Sequence, residues 1–458
     1  MGGIDGAILP IGVTIIVWDL GGDFASLLFL IEGIIFASAL IICGRIGDNL
    51  GLKKVFLLGI LMLTVGSALS AMAESMTWLL CSRVISSLGL TISLAVSLPL
   101  IMINIPPEKH GRSIGYSTMG MSIGSAIGPI LCGGILQYAG WAPMFLVIVP
   151  IGLTILLVGW RIIPNISCTP GVVRYDIPGA FLIFLTFGIF SIGMNLGIQN
   201  ANPLMFISAL ICSIMVGIFF VRRELTTPDP VVDIGFIMRR AIAIPLILAF
   251  LIYAVYRTSL YFIPVYLSEV LKISPVNAGI ILSIVAIIPA LGSPFVGLYI
   301  EGRGMQGIRF LLTISAIAGV ISSLVMIVTG MINGLVAVII SLFLLGISFT
   351  CGYTTIYAYY YRSVPSGRIG MAGGILETSA ELAAPIAVTL VQILFAGGIL
   401  LESGGTVSAR EIIWETIPGV QAIYIFCLIL SLVILMISRI APDPLPHTGN
   451  CQVVGCPE

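Results

Sequence analysis

The feature that most constrains this chain is a succession of apolar stretches, each about 20 residues long, separated by short polar loops. A helix of that length crosses the hydrocarbon core of a bilayer. Apolar residues make up 59% of the 458 residues and charged residues only 9%, which excludes a soluble globular enzyme, a disordered protein and a nucleic-acid-binding surface. The apolar runs are continuous rather than alternating, which disfavours a transmembrane barrel. We therefore expect an all-α polytopic membrane protein with fourteen transmembrane helices.

Basic residues are distributed unevenly among the expected loops. Sixteen of the 20 Lys and Arg residues fall in every second loop and in the C-terminal tail, whereas only Lys272 and Arg410 fall in the opposite loops. The positive-inside rule then places both termini in the cytoplasm of a multi-pass protein of the cell membrane. The first expected span, residues 3–17, is short, so we expect the natural first span to begin upstream of Met1.

Two short patterns occur twice in the chain. Residues 44–51 and 297–304 both contain Gly, an acid four positions later and Gly three positions after that. A Gly-Arg pair followed by another Gly occurs in residues 111–115 and again in residues 367–370. The offsets between the copies are 253 and 256 residues, and two nearly equal offsets indicate duplicated halves.

The repeat divides the chain into two six-helix bundles with two additional helices between them. We expect an N-terminal bundle over residues 1–160, a two-helix insert with a cytoplasmic linker over residues 161–240, a C-terminal bundle over residues 241–440, and a polar cytoplasmic tail over residues 441–458.

Several motifs resemble those of one transporter family. Residues 44–54 look like the loop signature of the major facilitator superfamily, and residues 120–134 look like the antiporter signature of its fourteen-span drug:proton antiporters. Residues 141–152 are similar to the stretch that opens the sixth span in that family. Asp5 falls where the family has an acid in the first span, and Arg83 falls where it has an arginine in the fourth.

The resemblance covers nearly the whole chain and implies both a fold and a function. The implied fold is the major-facilitator type, with two pseudo-symmetric six-helix bundles around a midplane cavity plus two inserted helices. The implied function is proton-coupled export, by alternating access, of lipophilic small molecules that include cations. The expected partners are a small-molecule substrate, protons and the lipid bilayer. We expect a monomer without cofactor, metal or nucleic acid.

The glycines of the expected fifth span recur at every fourth residue and so lie along one helix face. Glycine lets a neighbouring helix approach closely, and a proline in the span permits a bend. The functional interpretation is a packed seam that moves during alternating access, and the alternative is ordinary small-residue packing. The residues of this expected seam are Gly120, Gly124, Gly128, Pro129 and Gly133.

The loop after the second span has features of a latch on the cytoplasmic side. Asp48 could cap the N-terminus of a neighbouring helix or pair with a cation when that side is closed. Gly51 would allow the tight turn between antiparallel helices, and Gly44 and Lys53 flank these positions. The alternative for the charges is a solvated loop that merely follows the positive-inside rule.

Six charged side chains lie inside apolar stretches, where an ionised group costs at least about 2.5–3.5 kcal/mol. Glu377 and Glu381 lie one helical turn apart, and two carboxylates that face one cavity would not both stay ionised. We favour a shared central cavity in which the acids bind protons or cations and the arginines tune them. The expected site residues are Asp5, Glu32, Arg83, Arg257, Glu377 and Glu381.

Each of these charges has a structural alternative. Arg257 could form a static ion pair with Glu32 or Glu377 that holds the two halves together, and Arg83 could simply bond a backbone carbonyl. The tyrosines between residues 353 and 361 favour an aromatic belt at the membrane interface.

Other functions are compatible with an apolar chain of this kind. Proton-coupled uptake of a small metabolite would use the same fold in the reverse direction. A membrane-embedded lipid-modifying enzyme is poorly supported, because His110 and His447 are the only histidines and neither lies in an expected span. No Gly-x4-Gly-Lys-Ser/Thr phosphate loop occurs in the sequence, so the chain does not encode an ATP-driven pump.

Overall fold

The structure is a computed structural model, and its regular secondary structure is helical throughout the residues that it describes. The polar tail expected over residues 441–458 lies outside the described part of the chain. The described residues are 1–21, 25–164, 177–199, 203–227, 233–328, 334–365, 368–402 and 417–440.

The first seven helices form what we call the N-terminal half. Their bounds are α1 Gly2–Leu20, α2 Ala25–Leu50, α3 Leu52–Ala71, α4 Met76–Asn104, α5 His110–Ala139, α6 Ala142–Leu146 and α7 Ile148–Ile162.

Three helices connect this half to the five helices that we call the C-terminal half. The connecting helices are α8 Ile177–Gln199, α9 Pro203–Thr226 and the short α10 Ile234–Ile237. The helices of the C-terminal half are α11 Arg240–Val265, α12 Pro275–Ile327, α13 Gly334–Tyr361, α14 Ile369–Glu402 and α15 Ile417–Ile440.

Helix boundaries follow local chemistry. The Ser75 hydroxyl accepts a hydrogen bond from the Trp78 backbone N–H at 3.3 Å and so caps the start of α4. Asp233 caps α10 in the same way, accepting from the Phe236 N–H at 3.0 Å. Proline occupies the first turn of α12, where its missing N–H would have no helical partner.

α12 is interrupted in its middle. At 1.5 Å per residue its 53 residues would measure about 80 Å, far more than the thickness of a bilayer. Gly304 has φ 54° and ψ −130°, a non-helical conformation that side-chain-bearing residues rarely adopt, and it breaks the helix there. The break falls where the sequence predicts the loop between the tenth and eleventh spans.

Eight helices within the described residues are long and apolar enough to cross a membrane by length and composition. The count of fourteen spans stays a prediction, as do the bundle boundaries near residues 160, 240 and 440.

The two halves contact each other through a few helices. In the N-terminal half α4 packs between α2 and α3, and in the C-terminal half α13 packs on α11 and α12. Contacts between the halves are made by α5 with α12 and by α14 with α2 and α4. The two-helix unit of α8 and α9 packs on α2 at the periphery. The charged residues expected to be functional lie on α1, α2, α4, α11 and α14.

Candidate functional site

The first charge cluster lies in the N-terminal half and is centred on Arg83 of α4. Its Nη1 and Nη2 atoms donate to the two carboxylate oxygens of Asp5 at 3.0 and 3.2 Å. Nη2 also donates to Glu32 of α2. The Arg83 side chain has no exposed surface, and its guanidinium carbon lies 5.6 Å from the ring centroid of Phe145. Three helices thus converge on one buried guanidinium.

The charges of this cluster do not sum to zero. Asp5 is 2% exposed and Glu32 is 21% exposed, and both acids share the single cation Arg83. One negative charge therefore stays uncompensated when all three groups are ionised. A proton or a cation that binds here would neutralise the cluster.

The second charge cluster lies in the C-terminal half, between α11 and α14. Arg257 Nη2 donates to both oxygens of Glu381, at 3.0 and 3.4 Å. The Arg257 side chain is 42% exposed and Glu381 is 28% exposed, so this pair faces open space. Glu377, one turn earlier on α14, interacts electrostatically with Glu381 and with Tyr357. This cluster also holds two acids and one arginine.

The ion pairs form within each half rather than across the halves. The expected alternative in which Arg257 pairs with Glu32 is wrong, because Glu32 bonds Arg83. Arg257 bonds Glu381 rather than Glu377, so that alternative is wrong too. Among the described residues, no ion pair or hydrogen bond joins the two clusters. The structure therefore shows two charge clusters that are not bonded to each other, and their sharing of one central cavity stays a prediction.

Aromatic rings line the second cluster. Phe349, Tyr353 and Tyr357 recur every fourth residue on α13 and stack on one another, with centroids 5.3 and 4.1 Å apart. Tyr256 of α11 continues the stack at 4.0 Å from Phe349. Tyr253 packs at a steeper angle on Phe349 and Tyr353, at 5.6 and 5.9 Å.

These contacts correct the expectation of an interfacial aromatic belt. Tyr353, Tyr357, Tyr359, Tyr360 and Tyr361 are all buried, none more than 6% exposed. Because of the helix period, some of these tyrosines face α11 and α14 rather than lipid. Their position near a helix end in the sequence did not reveal which way α13 is rotated. Tyrosines of α13 therefore belong to the core of the C-terminal half.

Asp48 of α2 bridges the two halves at the end of the bundle where α14 begins. Its Oδ1 accepts from the Gly370 N–H at 2.7 Å, and its Oδ2 accepts from the Met371 N–H at 2.8 Å. An acid at a helix N-terminus satisfies free N–H groups and complements the helix dipole. This is the helix capping that the sequence predicted for Asp48.

The repeat-related acid makes the reciprocal contact. Glu301 of α12 accepts from the Arg112 N–H at 2.8 Å, at the N-terminus of α5. An acid from each half therefore caps a helix of the other half. We call this pair of contacts, with Asp48 and Glu301 at their centre, the latch.

Glycines bring the backbones together at the latch. A Cβ atom at Gly44 would lie 2.2 Å from the Gly370 carbonyl oxygen, and one at Gly297 would lie 2.3 Å from the Gly111 carbonyl oxygen. Such distances exclude any side chain without movement of the backbone. The two kinds of repeated pattern therefore contact each other across the halves. Gly44 of the first kind lies against Gly370 of the second kind, and Gly297 of the first kind lies against Gly111 of the second kind.

The remaining expected latch residues act within the N-terminal half. Gly51 has φ 97° and forms the turn between α2 and α3, as predicted. Lys53 Nζ donates to the Trp160 carbonyl at 3.0 Å, near the end of α7, and so does not bridge the halves.

Two acids at this end of the bundle have opposite pKa shifts. Burial raises the pKa of the Asp48 carboxyl to about 6, although the two backbone N–H groups and Arg45 favour its ionised form. Partial burial acts in the same direction on Asp233, but hydrogen bonds from Arg368 and from the Phe236 N–H outweigh it. They hold the pKa of Asp233 below its usual range.

The expected glycine seam of α5 is only partly a packing seam. Gly128 lies against α1, where a Cβ would meet the Gly3 carbonyl at 3.0 Å, and Gly124 also faces Gly3. A Cβ at Gly120 or Gly133 would meet nothing within 4 Å, so these two positions do not need glycine for packing. Pro129, the remaining member of that set, is accommodated inside α5, which continues to Ala139.

Sequence reasoning missed two further glycines of α14. A Cβ at Gly374 would lie 2.5 Å from the Leu40 carbonyl, and one at Gly373 would lie 2.6 Å from the Pro99 side chain. These glycines let α14 approach α2 and α4 closely. The four-residue spacing from Gly370 to Gly374 was a small-residue signal that could have revealed this close approach.

The fold agrees with a comparison of the sequence with known families. The model for the Major Facilitator Superfamily matches residues 2–388. This chain belongs to the Major Facilitator Superfamily. The family resemblance seen in the motifs is confirmed, and membership makes the chain a transporter rather than an enzyme.

Relatives within the superfamily carry different names. The multidrug efflux pump LfrA of Mycolicibacterium smegmatis is 27% identical over 433 residues, which cover 92% of this chain and 84% of the relative. The riboflavin transporter RibZ of Clostridioides difficile is 23% identical over 398 residues, 86% of each protein.

A solved structure of another superfamily member confirms the fold. The proton:xylose symporter XylE bound to 6-bromo-6-deoxy-D-glucose superposes with a TM-score of 0.64 at 14% identity, over 96% of this chain and 93% of that chain. At this identity the likeness concerns the fold alone.

Proposed function

We propose that this member of the Major Facilitator Superfamily exports lipophilic small molecules, cations included, in exchange for protons. The observation that carries the proposal is the charge inventory of each cluster, which is two acids against one arginine. Each cluster therefore has one acid whose charge a proton or a cationic substrate could neutralise. The efflux pump LfrA among the relatives supports export as the direction.

Competition for the uncompensated acids would couple the two fluxes. A proton that binds a carboxylate removes the charge that holds a cationic substrate, and a substrate that binds displaces the proton. Each proton provides about 2.3 kcal/mol per 100 mV of membrane potential and about 1.4 kcal/mol per pH unit. One or two protons per cycle would therefore sustain a substantial outward gradient without ATP.

The latch would alternate during this cycle. Asp48 and Glu301 hold the halves together at one end of the bundle. The distribution of basic residues supports a cytoplasmic location for that end, with both termini in the cytoplasm of the cell membrane. In this orientation the structure corresponds to a state closed to the cytoplasm. Release of the two caps would open it for substrate.

A second candidate is transport of a metabolite, including uptake. This alternative is supported by the riboflavin transporter RibZ, a relative that aligns over 86% of both chains. The sign of the pH-gradient effect separates the two candidates. Export by antiport moves substrate against the direction of proton flow, whereas uptake by symport moves both together.

Proteoliposomes with an imposed pH gradient provide the test. We expect movement of a lipophilic cationic dye opposite to the proton flow. The double variant Glu377→Gln, Glu381→Gln should lose it, because both acids of the second cluster are then neutral. Glu74→Gln makes the same chemical change at an exposed acid and should transport normally.

The outcomes separate the possible coupling sites. Dye movement that survives the double variant would shift coupling to Asp5 or Glu32. Dye movement in the same direction as the protons would support uptake. The absence of gradient-driven movement with cationic, anionic and neutral substrates would contradict the proposed exchange.

A further inference from the structure

The aromatic stack of the C-terminal half forms a continuous wall beside an acid. Tyr256, Phe349, Tyr353 and Tyr357 present their ring faces to one another, with interplanar angles of 22°, 28° and 29° along the series. Glu377 of α14 interacts electrostatically with Tyr353 and Tyr357 of this wall. The wall and the acid therefore come from different helices that face each other.

Glu377 differs from the other acids of the two clusters in its partners. Asp5, Glu32 and Glu381 each bond a guanidinium. Within the described part of the chain, no Lys, Arg or His lies within ion-pair distance of Glu377. A partly buried acid without a bonded cation attracts one, because burial weakens the screening of its charge.

A polar group beside Glu377 also lacks a partner. The Tyr357 hydroxyl is buried, with the side chain 1% exposed, and forms no hydrogen bond to any described residue. A buried hydroxyl without a partner costs free energy, so a bound ligand or water that bonds it is favoured. The hydroxyl interacts with the Glu377 carboxylate, so a ligand bound at one group is placed to bond the other.

Arg257 shows how a cation fits this environment. Its guanidinium bonds Glu381 at 3.0 Å and lies 5.9 Å from the ring centroid of Tyr253, which itself packs on the wall. A planar cation therefore already lies between a carboxylate and an aromatic ring next to Glu377. Arg257 neutralises Glu381 and leaves Glu377 as the acid available to an external cation.

We propose that Glu377 and the ring wall of Tyr256, Phe349, Tyr353 and Tyr357 form the binding site for planar aromatic cations that the protein transports. This inference rests on the proposed transport function and specifies its substrate class and residues. The carboxylate would bind the positive charge while the rings stack on the aromatic part of the substrate. The half-buried Arg257 and Glu381 would border the entrance.

The N-terminal cluster is unsuited to the same role. Arg83 is fully buried, bonds both acids and lies against Phe145. A substrate cation there would have to displace a guanidinium that makes three hydrogen bonds. A proton needs no such space, so this cluster fits proton binding rather than substrate binding.

Equilibrium binding of ethidium to the purified full-length chain in detergent tests the site. Ethidium is a planar aromatic cation, and its fluorescence anisotropy reports binding. We expect Glu377→Gln and Tyr353→Leu each to weaken binding about tenfold, because a charge pair or a cation–ring contact is lost. Tyr353→Phe keeps the ring and should bind within about twofold of the natural protein. Tyr261→Leu, at an exposed ring outside the wall, is the matched control and should bind normally.

Variants that are folded are identified by an unfolding temperature close to that of the natural protein and by a single size-exclusion peak. Ethidium binding that is unchanged in both Glu377→Gln and Tyr353→Leu overturns the site, even if the protein transports the dye by another route. Binding that depends on these residues, without proton-driven movement in proteoliposomes, supports the site and overturns the transport proposal. The two failures are thus distinguishable.

Discussion

The two charge clusters, one in each half, both contain two acids and one arginine, but their environments are opposite. Arg83 in the N-terminal half has no exposed surface and bonds both of its acids, whereas Arg257 in the C-terminal half is 42% exposed and bonds one. A single ring, Phe145, faces Arg83, whereas five rings surround the second cluster. Equal charge therefore does not imply equal function. Closure around Arg83 suits a proton, and open space with rings around Arg257 suits an aromatic cation.

The largest expected contrast concerns stability. Arg83→Gln leaves two acids buried side by side without their cation, and we expect a loss of about 3–5 kcal/mol in the free energy of unfolding. Arg257→Gln removes a half-exposed pair, and the expected loss is about 1 kcal/mol or less. Thermal unfolding of both purified variants in one detergent measures the difference.

Equal destabilisation by the two variants would contradict the difference in environment. The double variant Asp5→Asn, Arg83→Gln serves as a control, because it removes one stranded acid together with the arginine. It should recover part of the stability lost in Arg83→Gln.

A smaller effect is expected at the latch, where each half contributes a glycine. Gly44→Ala would place a Cβ 2.2 Å from the Gly370 oxygen, where ordinary contacts begin near 3.4 Å. The backbones must then separate by about 1 Å, at a cost of about 1–3 kcal/mol to the closed state. Gly297→Ala should act similarly, because its Cβ would lie 2.3 Å from Gly111.

Spin labels at exposed positions 54 and 303, in a background without native cysteines, measure the opening. We expect a shift to longer distances in Gly44→Ala and Gly297→Ala. Gly133→Ala adds a Cβ in open space and should leave the distances unchanged. A shift in only one latch variant would show that the two halves do not contribute equally to closure.

The smallest expected effect is a pH dependence of the latch. Burial in the closed state raises the pKa of Asp48 to about 6 from its ordinary value near 4, so the closed state binds the proton more tightly than an open one. Closure should therefore be most favourable at acidic pH and weaken as the pH rises through about 6. The same spin-label distances, recorded between pH 4 and 8, measure this change.

Asp48→Asn removes the titrating group and should flatten the pH profile. Asp233→Asn is the matched comparison, because the pKa of Asp233 lies below its usual range and its charge does not change in this interval. A profile that persists in Asp48→Asn would assign the pH dependence to another group.

Part of this molecule could be predicted from the sequence. Apolar stretches and the two repeated patterns predicted the fold, and the charges within apolar runs predicted the members of both clusters. The capping by Asp48 and the turn at Gly51 were also predicted, because each depends on residues close in sequence or on a helix end.

The partners of the charges could not be predicted in this way. Whether Glu32 bonds Arg83 or Arg257 depends on the rotation of α2 about its axis, which an almost uniformly apolar helix does not encode in its pattern. The burial of Tyr357 and the inward bond of Lys53 depend on neighbouring helices in the same way. The structure supplies these rotations, and with them the separation into two clusters.

The central claim is that a cation and a proton compete for Glu377, and proton release measures this most directly. Ethidium is added to the purified protein in weakly buffered detergent solution near neutral pH, and a pH indicator records released protons. We predict that at most about one proton is released per bound cation. Glu377→Gln should abolish this proton release, and Glu74→Gln should retain it. Cation binding by the natural protein without any proton release between pH 5 and 8 would contradict it.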